Sequence, residues 1–366
     1  MEESKSIKET KPIKVAIIVP IFNVQDHLKK CLDSLLHQTY KHFYAILVND
    51  GSSDNSLAIA KQYALKDARF FLIDCPNGGV GKARNRGIDF LKNSLKDFKE
   101  IISLSPPPKD VSYIEFLDSD DFLDPNSIEQ KLVVAQKHNL DVVGAGIKEY
   151  SRDYQYIQQG YGLLKNVPKE EILHGLEVVK ASPFEYFHAI WGLLISFKFF
   201  KENNLSFIED IIYEDHNFGI MLFLKAKKVM ILKPFLYNCV LSANSITRPN
   251  IISPQRLLLN YQSYRIITDE LIHQNYSEKE AKIIKRYIKK FYLPTTYSML
   301  YELKIGGHNA PKLPLKNYKD FLSLKTLIIY YLPSLFGFLK RLKTLLNKKK
   351  WKDINKNKRI KIFWHP

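Results

Sequence analysis

Val15-Ala-Ile-Ile-Val19 is a continuous apolar run, rich in β-branched residues, that stops at Pro20. A run of this kind predicts a strand that is buried on both faces. Similar runs recur at residues 44–48, 70–73 and 113–117, and segments 27–38, 57–64 and 80–95 show the spacing of helices. Because strands alternate with helices, the sequence predicts an α/β fold with a mostly parallel sheet flanked by helices.

The order of these segments predicts four regions. Residues 1–12 form a polar leader without the apolar stretch of a secretory signal, and residues 13–250 form the α/β domain. Residues 251–325 have helical periodicity and form a C-terminal helical extension, and residues 326–366 form an amphipathic, basic tail. Residues 98–110 carry three prolines and are interpreted as a surface loop inserted before the fourth strand.

The charge of the chain is concentrated in its tail. The 366 residues include 55 Lys and Arg against 38 Asp and Glu, a net charge of +17, and residues 340–361 alone carry eleven basic residues and one Asp. The 22 Phe and 21 Tyr exclude a mainly disordered chain. The three cysteines lie far apart, in no spacing typical of a zinc site or a disulfide framework, which favours a reducing compartment.

Carboxylates follow two of the predicted strands. In Phe116-Leu-Asp-Ser-Asp-Asp-Phe122, the side chains of Asp118, Asp120 and Asp121 come directly after a strand, where a hard divalent cation would offset their repulsion. The alternative is an acidic turn that caps the next helix. After the second strand, Asn49-Asp-Gly-Ser-Ser-Asp54 offers Asp50 as an acceptor for the imide of a uracil, and Ser52 or Asp54 can also cap a helix. Ligands of such sheets bind beyond the carboxyl ends of the strands.

Four motifs together resemble the family 2 glycosyltransferases, which are inverting enzymes of the GT-A fold. They are Val-Ala-Ile-Ile-Val-Pro-Ile-Phe-Asn-Val (15–24), Val-Asn-Asp-Gly-Ser-Ser-Asp (48–54), Lys-Ala-Arg-Asn-Arg-Gly (82–87) and Phe-Leu-Asp-Ser-Asp-Asp (116–121). Their order and rough spacing match over residues 13–250. Two features depart from the family pattern: Asn49 stands where an Asp is more common, and the insertion before residue 113 is long.

The resemblance implies a nucleotide pocket. Pro20 and Phe22 would lie in it, with Phe22 stacked near the base. Asp50 would hold the uracil, Asp118 would lie by the ribose, and Asp120 would bind the Mn²⁺ or Mg²⁺ that bridges the diphosphate.

The resemblance also implies that Arg84 and Asn85 brace this pocket, by pairing with one of its carboxylates. The alternative for Arg84 is a solvated side chain on a helix. Arg248, in Ser245-Ile-Thr-Arg248, would stabilise charge on the leaving group, a task suited to a guanidinium. An ordinary surface loop is the alternative for that segment.

A further segment resembles the acceptor side of the family. Trp191-Gly-Leu-Leu is followed by Ile211-Ile-Tyr-Glu-Asp-His216, which resembles the Glu-Asp pair that opens a helix under the acceptor. Asp215 is the candidate base that takes a proton from the acceptor hydroxyl. Alternatively, Glu214 and Asp215 only favour a helix N-terminus. His216 could bind metal, but it could equally be a hydrogen-bonded neighbour.

These features predict an inverting glycosyltransferase that moves a hexose or N-acetylhexosamine from a UDP-sugar to a glycan or lipid-linked saccharide in bacterial surface-polysaccharide synthesis. A nucleotidyltransferase and a catalytically silent glycan-assembly subunit are the alternatives. Residues 326–361 combine aromatic residues with dense Lys, which suits an anionic membrane surface. We therefore expect a cytoplasmic protein, peripheral on the inner face of the plasma membrane. A solvated tail is the alternative, and no nucleic-acid recognition motif is present.

Overall fold

The computed structural model describes residues 12–182, 190–241, 253–306, 313 and 315–340. The chain divides into two compact units, the first up to residue 252 and the second from residue 253. No helix in the described ranges is long and apolar enough to cross a membrane.

The first unit alternates strands and helices through its N-terminal half. Its strands are β1 (Lys14–Ile21), β2 (Phe43–Asp50), β3 (Phe70–Cys75), β4 (Glu100–Ile102), β5 (Val111–Phe116), β6 (Phe122–Leu123), β7 (Val142–Ser151), β8 (Tyr156–Gly160), β9 (Leu194–Ser196) and β10 (Val229–Leu241). Its helices are α1 (Gln25–Leu36), α2 (Ser56–Ala64), α3 (Val80–Leu91), α4 (Ser127–His138), α5 (Gly175–Ala181), α6 (Phe197–Glu202) and α7 (Glu214–Lys225), with a short 3₁₀ turn at Gly162–Leu164.

All of these strands belong to one sheet, in the order β4-β3-β2-β1-β5-β9-β7-β10-β6, with β8 paired to β7. β3, β2, β1 and β5 are parallel neighbours, as the sequence predicts, because a helix lies between successive members of this group. β9 runs antiparallel to both β5 and β7, while β7 and β10 are parallel. The sheet is therefore mixed, with parallel pairing among β3, β2, β1 and β5 and between β7 and β10, and helices flank it as predicted.

The insertion before β5 differs from the surface loop that the sequence predicts. It contains β4, which pairs antiparallel with the edge of β3. The helix expected over residues 80–95 is also shorter, because α3 ends at Leu91. The end of α3 is hard to predict because the apolar pattern is weakest at the ends of elements. β4 is an edge strand of only three residues, which is too short for a pattern of its own.

The core of the first unit forms where the helices cover the sheet. β1 is buried along almost its whole length, and α1 contributes the stripe Leu28, Cys31, Leu32 and Leu35. α3 lies close against β1, because a Cβ on Gly87 would stand 2.6 Å from the Ile18 side chain. This packing fixes the helix that carries Arg84 and Arg86 against the strand ends.

The second unit is helical and rich in buried tyrosine. It contains α8 (Pro254–His273), α9 (Glu278–Tyr287), a π-helical turn (Ile288–Tyr292), α10 (Leu293–Ile305), a 3₁₀ segment (Leu315–Phe321) and α11 (Leu324–Tyr331). α9 begins with a capping box between Ser277 and Glu280. The rings of Tyr264 and Tyr292 pack 6.0 Å apart.

Candidate active site

The candidate site lies at the carboxyl ends of β1, β2 and β5, which are adjacent in the sheet. Pro20 is buried in β1 and pairs in register with Val48 of β2. Phe22 follows β1 and is 51% exposed, although most large apolar side chains of this unit are buried. An exposed ring at a strand end is free to stack against a ligand.

Arg84 on α3 connects two parts of the site. Its guanidinium donates to Asp118 at 2.9 Å and to Glu214 at the start of α7. Burial acts to lower the pKa of Arg84, but the charges of Asp118 and Glu214 outweigh it and raise the pKa. The predicted pairing of Arg84 with a pocket carboxylate is therefore present, and Arg84 is not a solvated side chain. Its Nε is buried and has no hydrogen-bond partner among the described residues.

The three carboxylates after β5 do not act as one group. Asp121 is buried, and it accepts hydrogen bonds from the Tyr237 hydroxyl and the Val240 backbone, both at 2.7 Å. Burial raises the pKa of Asp121 well above its usual range, and the charges of Asp120 and Asp118 add to the effect. Residues of β10 therefore bind both oxygens of Asp121, whereas its role beside a cation stays a prediction.

The other two carboxylates of the loop after β5 are Asp118 and Asp120. Burial raises the pKa of Asp120 to about 6, and the nearby charge of Asp118 contributes. Asp118 keeps 30% of its side chain exposed, and no Lys, Arg or His of the described ranges pairs with Asp120. A divalent cation favours such oxygen ligands, so the pair fits Mg²⁺ or Mn²⁺ held together with a substrate phosphate. Within the described ranges, no three His, Cys, Asp or Glu side chains form a metal-binding group of their own.

Asp50 lies at the carboxyl end of β2 and has several hydrogen-bond partners within the protein. It is 2% exposed, and its carboxylate accepts hydrogen bonds from the backbones of Gly78 and Gly79, from Arg86 at 2.9 Å and from Asn77. Burial raises the pKa of Asp50 while the Gly78 and Gly79 amides and Arg86 oppose the shift. In this arrangement Asp50 shapes the loop before α3, and its bond to a uracil imide stays a prediction.

Asn85 also has partners other than those predicted. Its amide donates to the Phe207 carbonyl at 3.0 Å and to Glu209, and its oxygen accepts from the Phe207 backbone at 2.9 Å. Asn85 therefore holds the segment that leads into α7, and it pairs with none of Asp50, Asp118 and Asp120.

The start of α7 carries the candidate base. Tyr213, immediately before the helix, has a left-handed backbone with φ 66°, which is uncommon for a bulky residue. Glu214 is buried against Arg84. Burial raises the pKa of Asp215 well above its usual value, the charges of Glu214 and Asp118 add to this, and Arg84 opposes it. A carboxylate with a raised pKa is a stronger base once it has lost its proton.

His216 is buried, and its ring packs against Tyr213 with centroids 5.4 Å apart. Trp191 stacks on Tyr237, with centroids 5.1 Å apart and an angle of 27° between the rings. Gly192 allows this approach, because its φ is +73° and a Cβ there would lie 2.9 Å from the Tyr237 ring. Arg248 lies outside the described residues.

Sequence analysis gave no role to Arg86 and Tyr237. Arg86 stands two residues after Arg84 in Lys-Ala-Arg-Asn-Arg-Gly, so a second buried cation could have been suspected from the motif. Tyr237 lies inside an apolar strand, where nothing in the local pattern signals its hydrogen bond to Asp121. For Glu214 the sequence suggests a place in the Glu-Asp pair of the acceptor side or a favourable charge at a helix N-terminus, and neither indicates that it is the buried partner of Arg84.

Comparison with known proteins places this chain in a family. A family model described as glycosyl transferase family 2 matches residues 16–202, just over half of the chain. The glycosyltransferase EpsJ of Bacillus subtilis is 33% identical over 235 residues, which are 64% of this chain and 62% of that protein. GlyA of Streptococcus pneumoniae is 25% identical over 248 residues, 64% of this chain and 32% of that protein. The chain thus spans less than two thirds of both relatives.

Solved structures show the same fold. Staphylococcus aureus TarS (1-349), in complex with UDP-GlcNAc, superposes with a TM-score of 0.57 at 19% identity, over 79% of this chain and 80% of that chain. The likeness extends over the mixed sheet and its flanking helices, a GT-A fold with C-terminal helices after it. With the family model matched across the four motifs, the chain belongs to glycosyl transferase family 2.

Proposed function

We propose that the protein is an inverting glycosyltransferase that uses a UDP-sugar donor. The observation that carries the proposal is the double contact of Arg84, which joins Asp118, on the loop after β5, to Glu214, next to Asp215. The buried guanidinium of Arg84 thus fixes the distance between Asp118, on the proposed nucleotide side, and Glu214. Asp215, the residue after Glu214, is the carboxyl group whose pKa is raised. The complex of TarS with UDP-GlcNAc supports a UDP-sugar as the donor class.

In the proposed reaction, Asp215 accepts the proton of an acceptor hydroxyl as that oxygen attacks the anomeric carbon of the donor sugar. The new bond joins the acceptor oxygen to this carbon, the bond from the carbon to the diphosphate oxygen breaks, and UDP leaves. Attack from the face opposite the leaving group inverts the anomeric centre. Burial suits Asp215 to this task, because a raised pKa strengthens the base.

Asp120, with Asp118 beside it, is proposed to hold Mn²⁺ or Mg²⁺, which when bound neutralises charge on the diphosphate. Asp118 lies toward the ribose and keeps Arg84 in place. Phe22 and Pro20 line the base pocket. Asp50 orients the Gly78–Gly79 loop beside that pocket and is proposed to accept a hydrogen bond from the uracil imide. Arg248 is proposed to approach the leaving diphosphate.

The proposed acceptor is a glycan or lipid-linked saccharide of a bacterial surface polysaccharide or lipooligosaccharide. Among the relatives are proteins named poly(ribitol-phosphate) beta-glucosyltransferase and chondroitin synthase, which supports a polymeric acceptor. The donor sugar is proposed to be a hexose or an N-acetylhexosamine.

The proposed location is the cytoplasmic face of the plasma membrane. At the end of the described second unit, Tyr331, Leu332, Leu335 and Phe338 are exposed. The eleven basic residues of 340–361 follow directly in the sequence. Exposed apolar and aromatic side chains next to dense cations suit an anionic lipid surface.

The test is the release of UDP from a panel of UDP-glucose, UDP-galactose and their N-acetylated forms, with MnCl₂ or with EDTA, and with GDP-mannose as the matched control. We expect slow hydrolysis of at least one UDP-sugar that requires the metal and exceeds that of GDP-mannose. Equal hydrolysis in EDTA would contradict the metal role of Asp120, and preference for GDP-mannose would contradict the UDP assignment.

A further inference from the structure

A row of aromatic rings crosses the first unit from the β7–β8 hairpin toward the candidate site. The ring centroids of Tyr156 and Tyr150 lie 5.9 Å apart, those of Tyr150 and Phe122 5.3 Å, and those of Phe122 and Tyr154 6.2 Å. We name these four residues the aromatic row. Tyr156, its outer member, is 55% exposed.

The inner end of the row is anchored on α1. The Tyr154 hydroxyl lies 2.8 Å from Nδ1 of His27, and the Lys30 ammonium lies 3.8 Å from the centre of the Tyr154 ring. Tyr154 has φ 59°, a left-handed conformation that a bulky residue adopts only where its contacts hold it. Tyr154 packs on Phe122, which stands two residues after Asp120 in the chain, so this end of the row adjoins the loop that carries Asp120.

The outer part of the row combines ring faces with planar polar groups. β8 is exposed along its length and pairs only with β7 among the described strands. Beside Tyr156, the Gln158 amide donates to the Glu149 carboxylate at 2.7 Å, and both groups keep further hydrogen-bonding capacity toward solvent. A pyranose has the complementary chemistry, with an apolar C–H face for a ring and hydroxyls at its rim for an amide or carboxylate.

The row also has the right direction for an acceptor. It begins at an exposed edge and reaches Phe122, on the loop that carries Asp120, so an extended chain lying on it would have one end toward that loop and the other in solvent. The steps between its rings are comparable to the length of one sugar ring. An isolated apolar contact would bind one sugar, whereas a row can bind several consecutive sugars.

We propose that the aromatic row binds the acceptor saccharide as an extended chain, with its terminal sugar toward the loop that carries Asp118 and Asp120. This inference rests on the transferase function proposed above, and it assigns the acceptor a place on the β7–β8 hairpin.

The test compares Tyr156→Ala with Ile157→Ala, a matched control. Ile157 is the next residue on β8, is 45% exposed, and points to the opposite side of the strand. The probes are oligomers of one to five β-1,4-linked N-acetylglucosamine or β-1,3-linked glucose units. Their binding to the full chain without donor is measured by saturation-transfer NMR. The denaturation midpoint of each variant establishes that it is folded.

We expect wild type and Ile157→Ala to bind longer oligomers more tightly than the single sugar, and Tyr156→Ala to lose about fivefold for the longer ones. The proposal is overturned if binding does not depend on length for any oligomer, if Tyr156→Ala binds like wild type, or if both variants lose binding equally. UDP release from UDP-sugars by the wild type is measured separately. Its absence would contradict the proposed function while leaving the result on saccharide binding intact.

Discussion

Arg84→Met should destabilise the first unit by about 3–5 kcal/mol, the cost typical of removing one partner from a buried ion pair. Arg84 and Glu214 keep only 5% and 7% of their side chains exposed, so the variant leaves the Glu214 carboxylate buried without a cation. Asp118 is 30% exposed, so water can solvate its carboxylate when the guanidinium is removed. The loss of its pair with Arg84 therefore adds little to the destabilisation. A loss of this size is a large part of the stability of an ordinary domain.

Two further variants test this reasoning. Arg84→Met combined with Glu214→Met removes both charges and should recover most of the lost stability, because apolar groups often replace a buried pair at little cost. Arg152→Met is the control, because its pair with Asp26 is more than half exposed and should be worth less than about 1 kcal/mol. The double variant should still lose donor turnover, since Asp118 has lost the guanidinium that orients it.

The assay is urea denaturation followed by tryptophan fluorescence. Trp191 is the only tryptophan before residue 253, and the other two, Trp351 and Trp364, lie in the tail. With both tail residues changed to Phe, the emission of Trp191 on its Tyr237 partner reports unfolding of the first unit. If Arg84→Met loses less than about 1 kcal/mol, or the double variant is no more stable than the single one, the guanidinium does not bridge these carboxylates in solution.

The site and the tail support four other predictions. Asp120→Ala should abolish the Mn²⁺-dependent binding of UDP in calorimetry, because Asp120 is the proposed metal ligand; the exposed Asp320→Ala is its control, and undiminished metal-dependent affinity would refute the assignment. Asp215→Asn should keep donor affinity within a few-fold and slow transfer by at least about a hundredfold, whereas exposed Asp210→Asn should do neither. Because the pKa of Asp215 is raised, the wild-type kcat should rise with pH only at values well above 3.8, the usual pKa of an aspartate, as the base loses its proton. If kcat instead rises near pH 3.8, Asp215 is not the base. Deleting residues 340–366 should leave turnover on a soluble acceptor nearly intact and release the protein from phosphatidylglycerol vesicles in a salt-sensitive way, and equal pelleting of the two forms would contradict a membrane role.

The strands and their acidic ends could be predicted because each is a local signal. β1, β2 and β3 are buried apolar runs, and Asp118 and Asp120 follow β5 directly, so period and composition were enough. β4 escaped prediction, because a three-residue edge strand with one exposed face has no such run. The pairing of β9 between β5 and β7 is set by the tertiary fold and has no sequence period of its own.

Side-chain partners within the site were harder to predict than the elements that carry them. Glu214 meets Arg84 across 130 residues of chain, and no local spacing encodes that contact. The same holds for Asp121 with Tyr237, and for Asp50 with the Gly78 and Gly79 amides. Motifs place carboxylates at strand ends, but the orientation of each carboxylate depends on which donors the fold brings to it.

The position of β9 between β5 and β7 has a consequence for the protein while it is being synthesised. β1, β2, β3 and β5 can assemble as soon as they leave the ribosome, since their neighbours precede them in the chain. The outer edge of β5 then has no strand beside it until Leu194–Ser196 is made. An unpaired, apolar strand edge is a template for association between chains. During the interval between the synthesis of these two segments, the nascent protein therefore carries an unpaired edge at which two chains could associate.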